Sequence, residues 1–93
     1  MRVDPVTRRV TVEGREVTLS RTEYRVLAVL ARAGGAVVTH GQLLRDVWGP
    51  GYAKEVGYLR VYVHHLREKL EPNQESPRFL LTEPGVGYRL CGE

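Results

Sequence analysis

The run KEVGYLRVYVHHLREKLE, residues 54–71, constrains this chain more than any other stretch. Val56, Leu59, Val63, Leu66 and Leu70 recur at spacings of three and four, which lines them along one stripe of a helix. At ~100° per residue, Val61 and Glu68 point nearly opposite that stripe, and Arg60, His64, His65 and Arg67 flank them. Such a helix is about 25 Å long. Its stripe requires a scaffold to cover it. Its far side carries cations, imidazoles and a branched methyl surface, groups that suit the edges of bases in a major groove.

A chain of 93 residues is expected to form one domain and to bury roughly two thirds of the surface its unfolded form exposes. With 42% hydrophobic and 27% charged residues, the composition argues against a disordered tail. The net charge of +3 permits an anionic partner without requiring one. The single cysteine, Cys91, has no partner for an internal disulfide, fits a reducing compartment and reads as a small apolar filler. The start, MRVDPVTRRV, lacks the apolar region of a signal peptide, and no apolar run approaches the ~18 residues of a membrane span. The expectation is a cytoplasmic domain with no membrane partner.

Taken in order, residues 1–19 read as short strands. Asp4-Pro5 is a turn pair, Val10 and Val12 alternate with Thr11, and Val17 and Leu19 alternate with Thr18. Glu13-Gly14 between them predicts a hairpin, which must lean on a helix to be stable. Ser20 and Glu23 form the S-x-x-E pattern of a capping box and start a helix. Tyr24, Leu27, Leu30 and Ala31 make its main stripe, Val26 and Val29 widen it, and Gly34-Gly35 stops it. Residues 36–38 read as an extended link. Thr39 and Gln42 give a second capping box, with Leu43, Leu44 and Val47 as the apolar positions and Trp48 at the end. Gly49-Pro50-Gly51 breaks the chain before the long helix, so the connection is longer than a tight helix-turn-helix uses. Pro72 stops the long helix, residues 72–78 form a surface loop, and residues 79–82 and 88–91 read as two strands joined by a glycine-bearing turn.

Catalytic chemistry finds no constellation here. His64 and His65 point about 100° apart on a helix, which disfavours their sharing one ion. Neither H-E-x-x-H nor a cysteine pair accompanies them or His40. Glu68, Glu71 and Glu75 are expected as solvated charges on helix surface and loop. Gly85-Val86-Gly87 lacks the spacing and the strand–helix flanks of a phosphate loop. Neither an enzyme nor a cofactor is expected. On the residues alone, two readings of the long helix stand side by side. In one, Arg60 and Arg67, two turns apart on one edge, reach guanine acceptors or phosphates while Val61 touches a thymine methyl. In the other, Glu55, Glu68 and Glu71 mix with the basic residues in a solvated face held by i,i+4 pairs.

In chain order, HGQLLRDVWGP, LRVYVHHLREKLE and TEPGVGYRL resemble the winged-helix effector domains of OmpR/PhoB-type bacterial response regulators. The resemblance covers nearly the whole chain, from the first strands through L-S-R-T-E-Y to G-Y-R-L. Within that family, W-G-P, Y-L-R-V-Y-V, H-L-R-E-K-L-E and G-V-G-Y-R look most like a regulator of a potassium-uptake operon. The resemblance implies an α+β fold: a winged helix-turn-helix with an N-terminal antiparallel sheet, three helices and a C-terminal β-hairpin wing. It implies double-stranded DNA as partner, with residues 55–71 in the major groove and the wing, residues 79–91, at the adjacent minor groove. Arg60, Val61, His64 and His65 then match base-contacting positions, and Arg67 a base- or phosphate-contacting one. His40 and Trp48 match positions near phosphates, and Thr82 matches a phosphate contact in the wing. The loop of Pro50, Gly51, Tyr52, Ala53 and Lys54 corresponds to the one that touches RNA polymerase in relatives. Such regulators also bind direct repeats as dimers and answer a sensor kinase through an N-terminal receiver domain, so residues 1–93 are expected to be the effector domain alone. Winged helices can also present the same helix to another protein, which is the alternative reading.

Two departures from the family pattern matter. Pro84 stands at the wing tip where some relatives carry arginine, and His64-His65 replaces arginines found in some. Imidazole is a pH-dependent phosphate partner, with an ordinary pKa of ~6.5, so DNA binding is expected to be tighter at pH 6 than at pH 8.

Overall fold

The computed structural model describes residues 1–91. Three short strands, β1 (Arg2–Asp4), β2 (Arg9–Val12) and β3 (Arg15–Val17), form an antiparallel sheet in sequence order. Its second turn is the expected Glu13-Gly14 hairpin. Val12 pairs with Arg15, and both turn residues have positive φ, 52° at Glu13 and 79° at Gly14, as a two-residue hairpin that follows the strand twist requires. Val10, Val12 and Val17 face inward and are buried.

Helix α1 (Arg21–Arg32) starts from the predicted capping box: the Ser20 hydroxyl accepts from the Glu23 amide and the Glu23 carboxylate accepts from the Ser20 amide. Its most buried apolar residues are Val26, Leu27 and Leu30, while Tyr24 and Ala31 sit at the edge of the core. Helix α2 (His40–Val47) is capped by the Thr39 hydroxyl, which accepts from the Gln42 amide. Only this half of the second capping box forms. A turn of 3-10 helix, Pro50–Tyr52, occupies the connection to helix α3 (Val56–Leu70). Leu59, Val63, Leu66 and Leu70 of α3 are all at most 2% exposed, so the predicted stripe is the face that meets the core. At ~1.5–3 kcal/mol for each large side chain, this burial rather than the polar outer face holds the helix.

The second sheet contains more than the predicted hairpin. β5 (Leu80–Glu83) and β6 (Gly87–Leu90) pair as expected, each running one residue closer to the tip than predicted. A short strand, β4 (Val38–Thr39), then pairs along the other edge of β6, Val38 with Tyr88 and Thr39 with Gly87. The extended link before α2 is therefore a sheet strand. It went unseen because two residues carry no periodicity.

Glu71 corrects another expectation. Helix-surface position predicts a solvated charge, yet the residue is 7% exposed and its carboxylate accepts from three successive backbone amides: Arg78 at 2.7 Å, Phe79 at 3.1 Å and Leu80 at 2.8 Å. The residue before proline is driven out of the helical region. Glu71, before Pro72, is accordingly extended (φ −84°, ψ 133°), and its side chain turns beneath the loop that leads into β5. Cys91 lies beyond β6 with its amide on the Phe79 carbonyl at 2.8 Å and Sγ 3.1 Å from the Arg78 carbonyl oxygen.

Candidate nucleic-acid interface

The outward face of α3 carries Arg60, Val61 and His64. All three are exposed, and Val61, at 51%, is a large apolar side chain left in water. Among the described residues Arg60 has no ion-pair partner, whereas His64 Nε2 lies 3.3 Å from Glu68 Oε1, one turn on. An unpaired guanidinium beside a branched apolar patch on a rigid helix offers a bidentate donor for guanine and a methyl contact for thymine.

The two edges of α3 are anchored differently. On one edge Arg67 is half-buried. Its Nε and Nη2 donate to the Leu80 carbonyl at 3.1 and 2.9 Å, Nη2 also donates to the Thr82 hydroxyl at 2.7 Å, and the guanidinium lies 5.9 Å from the Tyr88 ring centroid. Arg67 and Thr82, expected as separate DNA contacts, are bonded to each other and tie the wing to the helix. On the other edge Lys69 donates to Glu23 at 2.6 Å, and His65 Nδ1 stands 3.7 Å from the second Glu23 oxygen. His65 is exposed, with its ring leaning toward α1 and Tyr62.

Burial alone would push the Glu23 carboxyl up. The Lys69 ammonium and the Ser20 amide outweigh this and hold it below its ordinary value of 4.5. A lowered folded-state pKa contributes stability above pH 4.5 that is lost as pH falls through the folded value. Chain stability should therefore drop as pH falls below about 5 and through the folded value, and a Glu23→Gln variant should drop less over that range in parallel thermal melts. Equal slopes for the two proteins would remove Glu23 from the acid response.

The wing is also tied to α2. The His40 amide donates to the Val86 carbonyl at 3.1 Å, and the His40 ring meets Tyr88 edge-on at 5.4 Å. His40 is thereby held at the start of α2, beside the wing tip of Pro84, Gly85 and Val86. Trp48 is half-buried in an aromatic cluster, 5.4 Å from Tyr62 and 6.3 Å from Tyr58, and Tyr52 joins it 6.1 Å from Tyr58. This cluster, which the apolar stripes alone do not announce, packs the end of α2 and the turn after it against α3. The i,i+4 spacing of Tyr58 and Tyr62 beside a terminal tryptophan was its available signal. Of the loop residues singled out earlier, Pro50, Gly51, Tyr52 and Lys54 are exposed and Ala53 is half-buried. Among the described residues no group of three or more His, Cys, Asp or Glu side chains could hold a metal ion. No helix among them is long and apolar enough to cross a membrane.

An exposed helix face braced on one edge by a hairpin and on the other by two helices is the arrangement of a winged helix. Residues 14–90 match the family model described as the C-terminal domain of transcriptional regulatory proteins. The chain belongs to that family, in its OmpR/PhoB branch, a class of transcription regulators rather than of enzymes. It is 51% identical over 88 residues to the transcriptional regulatory protein KdpE of Mycobacterium tuberculosis, an alignment covering 95% of this chain and 39% of that protein. The chain thus spans between a third and two fifths of the length of the curated relatives it matches. Among solved structures, the Klebsiella pneumoniae RstA DNA-binding domain, crystallised in complex with the RstA box, superposes with a TM-score of 0.84 at 31% identity, covering 95% of this chain and 87% of that one. The response regulator DrrB, a Thermotoga maritima OmpR/PhoB homologue, gives 0.83 at 30% identity, covering 97% and 41%.

Proposed function

We propose that this chain binds double-stranded promoter DNA as the output domain of a two-component response regulator, and that its target is a potassium-transport operon. The observation that carries the reading is the outward face of α3, with unpaired Arg60, exposed Val61 and His64, braced by a wing that Arg67 clamps to the same helix. In this arrangement α3 enters the major groove and Arg60, Val61 and His64 meet base edges. His65, nearer α1, contributes at the flank. Arg67 and Thr82 present the wing to the backbone and the adjacent minor groove, and His40 and Trp48 line the phosphate side at α2. The exposed turn of Pro50, Gly51, Tyr52, Ala53 and Lys54 is the surface for RNA polymerase. A second copy occupies the neighbouring repeat, since one winged helix buries only ~600–1,000 Å² of its surface on DNA. By this reading the rest of the protein supplies the receiver that a sensor kinase phosphorylates, and the protein works in the cytoplasm.

The test is fluorescence anisotropy on a potassium-operon promoter duplex and on a scrambled duplex across a salt series. Preference for the promoter, with affinity falling steeply as salt rises on both, is the expected result. Salt-dependent binding without preference removes the operon assignment. Absence of binding by the folded chain removes the DNA reading. Arg60→Ala should cost about 1–3 kcal/mol on the promoter and relax selectivity at one base pair. A uniform loss on every sequence would assign Arg60 to phosphate instead. At matched salt, binding at pH 6 should exceed that at pH 8 in the wild type, and the difference should shrink in His64→Gln and vanish only when His40 and His65 are replaced as well, because each protonated imidazole adds a cation beside the duplex.

A further inference from the structure

Four arginines on the far side of the molecule remain unused by the DNA reading. Arg21, Arg25 and Arg32 fall within ~40° of one another around α1, on the side opposite Glu23, the residue that faces α3. Arg8 joins them from the turn between β1 and β2. Its guanidinium lies 5.7 Å from the Tyr24 ring centroid, and its backbone sits at φ 58°, a conformation that L side chains adopt only at a cost. Among the described residues none of the four makes an ion pair, as Arg2, Arg15, Arg45 and Arg60 also do not. Arg21 and Arg25 also repel at i,i+4, and Arg21 stands in the first turn, where the backbone dipole disfavours cations, whereas Arg32 in the last turn is favourably placed. Surface charge placed only for solubility would be interspersed in sign; this cluster is not.

The four cations rim a groove of 640 Å³ between the N-terminal sheet and α1. Its floor is apolar and includes Val3, Pro5, Tyr24 and Ala31. We propose that this groove is a docking site for an acidic polypeptide segment with interleaved apolar residues, whose carboxylates meet Arg8, Arg21, Arg25 and Arg32 while an apolar side chain rests on the floor against Tyr24. Arg21 and Arg32 are ~16 Å apart along the helix, the span of about five extended residues. A second copy of this chain does not supply that partner. It carries +3 itself, and no stretch of its sequence alternates acidic with apolar residues. The duplex on α3 does not reach the groove either, because the whole thickness of α1, ~10 Å, lies between them.

The probe is a fluorescein-labelled acidic octapeptide alternating Asp or Glu with Leu and Phe, titrated against the 93-residue chain alone and against the chain saturated with promoter duplex, at physiological salt. A Debye length of ~8 Å there screens the duplex from the groove. The expected result is binding in both cases, with amide shifts on β1, the turn after it and α1. Affinity should fall about tenfold in the Arg21→Gln/Arg25→Gln variant. That variant should melt no lower than wild type, since it relieves like-charge repulsion at the helix start. Displacement of the peptide by the duplex would place it on α3 and overturn the proposal. Undiminished binding to the variant would do the same, as would equal binding of a charge-matched oligoglutamate, which has nothing for the apolar floor.

Discussion

Gly87→Ala should cost about 3 kcal/mol or more and detach the wing sheet from the helices. A Cβ at this position would point into the Val38 carbonyl oxygen and lie 2.8 Å from both the Thr39 Cα and the Val38 carbonyl carbon. These are backbone atoms, so no rotamer change relieves the clash. β4 must separate from β6, which gives up the Val38–Tyr88 and Thr39–Gly87 pairs and disturbs the buried Val38 and Tyr88 side chains. Overpacking alone typically costs about 1–3 kcal/mol, and the lost ladder bonds add roughly 1 kcal/mol each. Urea unfolding of the variant checks the size of the effect, and the amide spectrum checks its place, with the largest changes at residues 38–40 and 83–88. A cost below about 1 kcal/mol would mean that the two strands part freely, and that the close approach has no structural consequence.

Removing the Glu71 carboxylate should have a comparable effect. In Glu71→Ala the amides of Arg78, Phe79 and Leu80 lose their acceptor, and those of Phe79 and Leu80 belong to buried residues. Each buried donor left unpaired costs about 1–3 kcal/mol. A total near 3 kcal/mol corresponds to a fall in melting temperature of roughly 12–24 °C for a domain of this size. Glu71→Gln should recover part of the loss, because its carbonyl oxygen still accepts while its amino group opposes an N–H donor. Duplex binding should weaken in both variants, since the loop that Glu71 organises leads directly into β5, where Leu80 and Thr82 hold Arg67. If Glu71→Ala melts with the wild type, the three amides have found water.

The parts that were legible in the sequence are those with a period or a local motif. The α3 stripe, the Ser20–Glu23 box, the Glu13-Gly14 hairpin and the glycine-bearing wing turn all act within a few residues of themselves. The α3 outer face followed from the same periodicity, and the resemblance to a known family turned that face into candidate contacts. What stayed hidden was long-range. Nothing near Glu71 announces that Pro72 will aim it at amides several residues on, and nothing near Arg67 names Leu80 and Thr82 as its partners. β4 is invisible without β6 beside it. For Arg67 and His65 in particular, helical phase placed them correctly at the edges of the face, but tertiary partners decided how far each is engaged within the protein.

The placement of β4 has a consequence for how the molecule breathes. The first sheet joins neighbours in sequence, Arg2 to Thr11 and Val10 to Val17, so it closes short loops and can re-form rapidly after opening. The second sheet joins Val38 to Tyr88, and the chain between them contains α2 and α3. The β5–β6 hairpin closes a short loop of its own, but the β4–β6 ladder cannot close until both helices are in place. In native-state hydrogen exchange, the amides that join β4 to β6 should therefore exchange together with those of α2 and α3, as one cooperative unit, while the N-terminal sheet opens on its own at lower free energy. The wing would then act as a latch that reports whether the helix pair is assembled.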